Sequence, residues 1–362
     1  MLHDLPSSWP WLTADLPGIG GRLKTQVEDF IVEEIPAYPP SGVGEHLFLW
    51  VEKRDLGAEY FLRQVATALG VQPGEVGLAG LKDRRAVTRQ WISVPARCAD
   101  RLASLADVGI RVLEQHRHGN KLRTGHLHGN RFAVRLRGVV PQAAQRLPPL
   151  VELLRRNGFP NYYGEQRFGR QGETLRLGLK LLQGETLPAK QRFLRKLALS
   201  AVQALLFNRY VARRLAAGRL HTVLAGDVMA FWPQGGNFVA DDPGREQPRF
   251  DARQIVPTGP MFGRKMRCPS GVAGALETEV LAEAGLTPAA FAGFGSLLEG
   301  TRRPILAFVP DLHWHSEGED VWLRFSLPAG AYATVLIGEI TKNVAGDDQS
   351  EEAITADEQA AP

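Results

Sequence analysis

A chain of 362 residues, 44% of them hydrophobic, is long enough for a full core and for about two domains at ~150 residues each. Two cysteines, Cys98 and Cys268, with no C-x-x-C pair, exclude a disulfide framework and a cysteine-based zinc site, and no apolar run approaches the ~20 residues of a membrane span. The net charge of +4 hides an asymmetry: from Val344 onward there are six acids and no Lys or Arg, so the preceding 343 residues carry +10.

A basic body suits a polyanionic partner, and the acidic, aromatic-free tail over 344–362 is expected to be disordered. The N-terminal MLHDLPSSWPW lacks the basic-then-apolar order of a secretion signal, so a cytoplasmic location, with no membrane attachment, is expected.

In chain order, the first motif is Gly18-Ile-Gly-Gly-Arg-Leu-Lys-Thr25, close to a phosphate loop G-x-x-x-x-G-K-[ST]. Leu23 stands where the second glycine must let backbone donors close on a phosphate, so the stretch reads as a turn into the strand-like Phe30-Ile31-Val32. Lys24 is left as a cation without a duty. Alternation predicts strands over 47–51, 89–94 and 131–137, and apolar recurrence at three and four predicts helices over 58–69, 142–156, 193–217 and 331–342. Gly158 and Gly218 stand where helix C-caps belong. The texture changes near residue 158, a Gly/Pro-rich stretch runs over 231–274, and strands return over 305–309 and 321–327. No fixed repeat is visible. An α+β chain follows, with a domain over 158–303 inserted into a discontinuous first domain, 1–157 with 304–343.

Within the basic segment from Arg111 to Arg137, seven Lys/Arg face one acid, Glu114, and His116, His118, His126 and His128 form two H-x-H pairs. Without carboxylate or thiolate company the histidines read less well as metal ligands than as part of a nucleic-acid-facing hairpin gripping phosphates, with the steep salt dependence that implies. On its last strand Asn130 and Phe132 are two apart and share a face, while Arg131, Arg135 and Arg137 share the other. An amide beside an aromatic ring can bond and stack a base, although Phe132 with Val134 and Leu136 also makes an ordinary core face. Asp83 stands among Lys82, Arg84, Arg85 and Arg89, after a glycine-bearing apolar approach and before a strand. Taken alone it reads as a surface ion-pair member; its context admits a nucleophile, whose charged form the cations favour.

Several stretches together resemble one family. Gly80-Leu-Lys-Asp-Arg-Arg-Ala-Val-Thr-Arg-Gln90 is similar to the G-x-K-D-x-x-A-x-T-x-Q motif of the TruD family of tRNA pseudouridine-13 synthases, and Asn161-Tyr-Tyr-Gly-Glu-Gln-Arg-Phe-Gly169 to its N-Y-[FY]-G-x-Q-R-F-G block. Asn130-x-Phe132, Ser200 with Phe207-Asn208, Pro257-Thr-Gly-Pro-Met-Phe-Gly263 and Leu327-Pro-Ala-Gly-x-Tyr-Ala-Thr334 match further blocks of the family, each at its place in the family's order. The resemblance implies an α+β fold: a pseudouridine-synthase-type catalytic domain with a mixed or antiparallel sheet and flanking helices, carrying an inserted α+β TRUD domain. It implies tRNA as partner, with no cofactor, no metal and no obligate protein partner; a monomer is the default.

The resemblance also implies roles. Asp83 falls on the catalytic aspartate; Phe132 would stack the flipped uridine, and Asn130 would position its surroundings. Lys24 would pair with Asp83, while Lys82 and Gln90 join the substrate-binding set. Phenylalanine has no ionisable group, so the C5 proton must go elsewhere, Asp83 itself being one acceptor. Arg84, Arg85, Arg89, Lys121 and Arg123 are candidates to meet RNA phosphates. Tyr162, Tyr163 and Arg167 read as structural residues of the domain junction, with direct RNA contact the alternative.

Overall fold

The computed structural model describes residue 6 and residues 8–343 apart from 189, 190 and 234; the acidic tail falls outside the described residues. The chain runs β1 (Gly20–Arg22), β2 (Phe30–Pro36), β3 (His46–Arg54), α1 (Ala58–Leu69), β4 (Gly77–Leu78), β5 (Val87–Pro95), α2 (Ser104–Asp107), β6 (Arg111–His118), β7 (Leu127–Val139) and α3 (Ala143–Asn157). It continues with β8 (Phe159–Pro160), α4 (Glu173–Leu182), α5 (Arg192–Ala216), β9 (Val228–Phe231), β10 (Asn237–Val239), α6 (Pro243–Asp251), β11 (Ile255–Met261) and α7 (Gly271–Glu283). β12 (Thr301–Pro304), β13 (Leu306–Ala307), β14 (His313–Glu317), β15 (Asp320–Pro328) and α8 (Ala333–Thr341) complete it.

Among the described residues, nine strands form one mixed sheet in the order β14-β15-β7-β2-β5-β3-β6, with β1 also on β7 and β4 also on β5. The β2–β5 pairing is parallel, and the others in this sheet are antiparallel. Directly paired residues point to the same side. The pairings Lys53↔Thr88, Thr88↔Val32, Val32↔Phe132 and Phe132↔Phe325 therefore place five side chains in a row across one face.

That face carries two separate cores. Towards β15, Phe30, Val32, Val134, Leu323 and Phe325 pack with Leu147, Leu150 and Leu154 of α3 and Leu336 and Ile340 of α8. Towards β6, Leu49, Val51, Ile92 and Val94 pack with Phe61, Val65 and Leu69 of α1 and Leu105 of α2. The predicted apolar spacing explains both, because residues four and three apart on α1 and α3 fall on one helix face. Between the cores lies a polar strip containing Lys53, Thr88 and Gln90. A third large core gathers around α5, whose Val202, Leu205, Leu206 and Tyr210 pack with Ile255, Val256, Met261 and Phe291.

Gly158 takes φ 70° at the end of α3, and a Cβ there would stand 2.6 Å from the Ala307 carbonyl oxygen, so only glycine fits. The strand expected over 305–309 pairs only at Leu306 and Ala307, with β8. The Gly/Pro-rich stretch, which offered no period, holds β10 and β11 with the helix α6 between them; Asp242 caps α6 by accepting from the backbone of Gly244 and Arg245.

The expected hairpin does not form. β6 pairs with β3 at one edge of the sheet, whereas β7 lies between β15 and β2, with three strands separating it from β6. Both edges of β7 are taken, by β15 on one side and by β2 and β1 on the other, so β6 has no place beside it. The connecting loop crosses the end of the sheet, held by Leu122 N donating to Ser93 Oγ at 2.8 Å and Gly125 N to the Ala79 carbonyl at 2.8 Å. Nor do most of the segment's cations stand free for phosphates. Arg111 pairs with Glu52, Arg135 with Asp320 and Arg137 with Asp29, while Arg117 and Lys121 donate to the Gly44 and Gly74 carbonyls.

Candidate active site

The site arises where one strand edge changes partner. Along β5, β2 pairs with residues 87–89 and then diverges; β4 takes over the same strand at Ile92 and Ser93. The chain from β4 back to β5, residues 79–86, must cross the interval. Its ends are fixed by Gly125 N bonding to the Ala79 carbonyl at 2.8 Å and by Asp55 N bonding to the Ala86 carbonyl at 3.2 Å. Its middle is fixed by buried charge. Lys82 Nζ lies 2.7 Å from Glu34 Oε2, both side chains almost wholly buried.

Asp83 follows directly. Its carboxylate meets Lys24 Nζ at 3.4 Å, with the lysine side chain 6% exposed and the aspartate 35%. The cation is thus sunk in the protein while the acid keeps an opening to solvent. Lys24 takes φ 54° in the turn before β2, and its ammonium lies 4.7 Å from the centre of the Phe30 ring. Leu23, which spoils the phosphate loop, packs against the core that carries Phe30. Behind the loop, Lys53 Nζ donates to the Leu56 carbonyl at 2.5 Å and to the Asp83 carbonyl at 3.3 Å. Burial pushes the Lys53 ammonium down to about 8, against the attraction of Asp83 and Asp55, with Lys82 adding to the fall. Burial likewise pushes the Glu34 carboxyl up, opposed by Lys82.

Phe132 is half-buried, edge-on to Phe30 at 5.9 Å and stacked on Phe325 at 5.2 Å, so one row of rings runs from Lys24 to Phe325. Asn130 lies opposite Glu34 on one side and Leu327 on the other. Three buried oxygens on these adjacent strands have no protein hydrogen-bond partner: Thr88 Oγ1, Gln90 Oε1 and Asn130 Oδ1. Each such atom costs about 1–3 kcal/mol, a cost that a hydrogen-bond-donating ligand at the strip would offset.

The structure thus brings Asp83, Lys24, Lys82, Gln90, Asn130 and Phe132 to one region. The arginines divide. Arg84 is exposed and 3.7 Å from Asp55, and Arg85 donates to the Thr25 carbonyl at 3.0 Å. Arg89 is held between Glu52, at 2.9 Å, and Glu33, which makes it a cross-strand tie rather than an open cation. Lys121 and Arg123 lie in the loop crossing the sheet end, with Arg123 exposed. His118 and His126 meet at Tyr38, the first stacked on its ring at 5.3 Å and the second bonded through Nδ1 to its hydroxyl at 2.5 Å. Among the described residues no three His, Cys, Asp or Glu converge as metal ligands.

Sequence reasoning missed Lys53, Glu34 and Thr88. A signal existed for two of them: Lys53 continues the inward phase of Leu47, Leu49 and Val51, and Glu34 that of Phe30 and Val32. It also missed Arg303. That guanidinium donates to Asn161 Oδ1 at 2.7 Å, to the Asn161 carbonyl at 3.1 Å and to the Gly330 carbonyl at 2.8 Å, and lies 4.1 Å over the Tyr163 ring. Asn208 clamps the Tyr163 backbone from both ends, Arg167 bonds to Ser200, and Tyr162 stacks on Trp9.

The arrangement is that of an α+β protein with a carboxylate-centred site on one face of a mixed sheet. The family model of tRNA pseudouridine synthase D (TruD) matches residues 8–195 and 186–340. The tRNA pseudouridine synthase D of Anaeromyxobacter dehalogenans is 46% identical over 338 residues, covering 92% of this chain and 96% of that protein. That of Thermus thermophilus is 44% identical over 346 residues, covering 93% of each. A crystal structure of a Methanosarcina mazei protein described as a tRNA pseudouridine synthase D superposes with TM-score 0.73 over 91% of this chain and 95% of that one, at 23% identity. The chain belongs to the TruD family.

Proposed function

We propose that this chain isomerises uridine to pseudouridine in tRNA, at position 13, with Asp83 as the nucleophile and no cofactor. The names of its relatives supply the reaction and the tRNA; position 13 rests on the motif resemblance. The observation that carries the catalytic assignment is the asymmetry at Asp83, a partly exposed carboxylate backed by buried Lys24. A surface ion pair would leave both partners in water.

A uridine stacked in folded RNA presents no glycosidic bond to such a group, so the base must first turn out. Phe132 supplies an aromatic face for it, and the unpartnered oxygens of Gln90 and Asn130 supply acceptors for the uracil N3–H. Lys24 orients the Asp83 carboxylate, and Lys53 and Lys82 fix its loop. The bond between N1 and C1′ breaks, the base rotates, and C5 takes the place of N1; the C5 proton leaves in the last step, with Asp83 one acceptor for it. Phosphates of the same RNA meet exposed cations, of which Arg84 and Arg123 are the candidates. The division of labour is a discontinuous catalytic domain, 1–157 with 304–343, and an inserted domain over 158–303.

Asp83→Asn keeps the shape and removes the nucleophile. Pseudouridine mapped by selective chemical labelling disappears from tRNA treated with that variant, while tRNA affinity stays near the wild-type value. Turnover retained by the variant overturns the assignment. Constant RNA mass accompanies isomerisation, and a loss of uracil would mark base excision instead.

A further inference from the structure

Resting on that function, we propose that Leu81 is a wedge that fills the stack vacated when the target uridine turns out towards Asp83. Leu81 is 60% exposed, whereas Ala79, Lys82 and Ala86 in the same loop are at most 9% exposed. Single exposed apolar residues are common on protein surfaces. This one is distinguished by its support and its place.

Support comes first. On one side the Ala79 carbonyl is bonded to Gly125; on the other, Lys82 is locked to buried Glu34, the Asp83 carbonyl to Lys53 and the Asp83 carboxylate to Lys24. A free loop would fold its leucine inward and shed the exposed area. Here the backbone is held at both flanks, so the apolar tip stays presented to solvent. Its place follows from chain geometry: residues two apart have Cα atoms no more than about 7 Å apart, so the tip and the carboxylate lie within reach of one nucleotide and its stacking neighbour.

The chemistry also fits. Turning a base out costs a few kcal/mol of lost stacking, and apolar side chains such as leucine repay part of it by entering between the neighbouring bases. Lys82 cannot take that role because its ammonium is paired with Glu34. A leucine makes no hydrogen bonds in the stack, so it assists extrusion without reading sequence.

The test uses the full-length protein and a tRNA carrying 2-aminopurine beside the target uridine. In the Asp83→Asn background, RNA binding raises the fluorescence as the stack opens; adding Leu81→Ala removes most of that rise while affinity changes less than about threefold. In the otherwise wild-type protein, Leu81→Ala lowers kcat about 10- to 100-fold with KM nearly constant, the effect of losing one to three kcal/mol in the transition state. Leu81→Met, which keeps the apolar length, recovers most of that loss. Wild-type turnover by Leu81→Ala, or equal loss in Leu81→Met, overturns the wedge alone. Absence of pseudouridine with the unmodified protein overturns the function and the wedge together.

Discussion

Replacing Lys53 by methionine asks how the fold holds the loop of Asp83. Lys53 is 1% exposed, and burial lowers its ammonium from 10.5 to about 8. In the unfolded chain the same lysine keeps its proton up to about 10.4. Between these values the unfolded state binds more protons than the folded one, so stability rises with pH across the window. Below about pH 8 the full penalty for the buried charge is present; above about 10.5 it is gone. The fall from 10.5 to about 8, at 1.36 kcal/mol per unit, amounts to about 3 kcal/mol. Methionine keeps the stem and removes the titration. Urea unfolding of both proteins from about pH 7 to about pH 11 therefore shows the wild type gaining about 3 kcal/mol on the variant. Parallel stability curves would refute the picture of a charged lysine held in the interior. Near neutral pH the variant, lacking the donor to the Asp83 carbonyl, also turns over more slowly with little change in RNA affinity.

Phe132→Ala removes the stacking face and lowers turnover about 10- to 100-fold, in line with about 1–3 kcal/mol per stacked base, as read by the rate of pseudouridine formation. Arg214→Met strands Asp227, its fully buried partner at 2.7 Å, and costs about 3–5 kcal/mol in chemical denaturation, much of it recovered by the double replacement with Asp227→Leu. Arg84→Ala reduces the slope of log affinity against log salt by about one, whereas Arg89→Ala, breaking a tie to Glu33 and Glu52, lowers stability and leaves the slope unchanged. An unaltered slope with Arg84→Ala would remove that arginine from the RNA contact.

How much of this was legible in the sequence differs by element. Residues 58–69 declared themselves because α1 lies against one core and shows a single apolar stripe. The hairpin failed because adjacency along the chain says nothing about which strand edges are already taken; the partners of β7 come from residues 20–36 and 320–328. Asp83, Asn130 and Phe132 were nominated by the family resemblance; taken alone, Asp83 reads as an ion-pair member and Phe132 as part of an ordinary core face. Lys24 was set aside as a spoiled phosphate loop until the resemblance suggested a partner, and the structure places it against Asp83. Lys53 and Glu34 went unread because a charge at an inward strand position is visible only if alternation is followed past the last apolar residue. Arg303 was passed over as a boundary marker, since its acceptors are 142 and 27 residues away.

Arg303 also sets a limit on motion. Through one guanidinium it joins Asn161 at the entry to residues 158–303 with Gly330 in the turn after β15. That turn is tied in its own right to the beginning of β7, where the Ala329 amide bonds to the His128 carbonyl, two residues before Asn130. A rigid rotation of the segment 158–303 about this point must break the Arg303–Gly330 bond, the bonds from Asn161 to the Pro304 and Ile305 carbonyls and the β8–β13 pairing together, or carry the strand of Asn130 and Phe132 with it. The joint is therefore a weld rather than a hinge. Adjustment to a bound RNA falls to surface side chains and loop tips, and strain applied far out on 158–303 is delivered to the strand that carries Asn130 and Phe132.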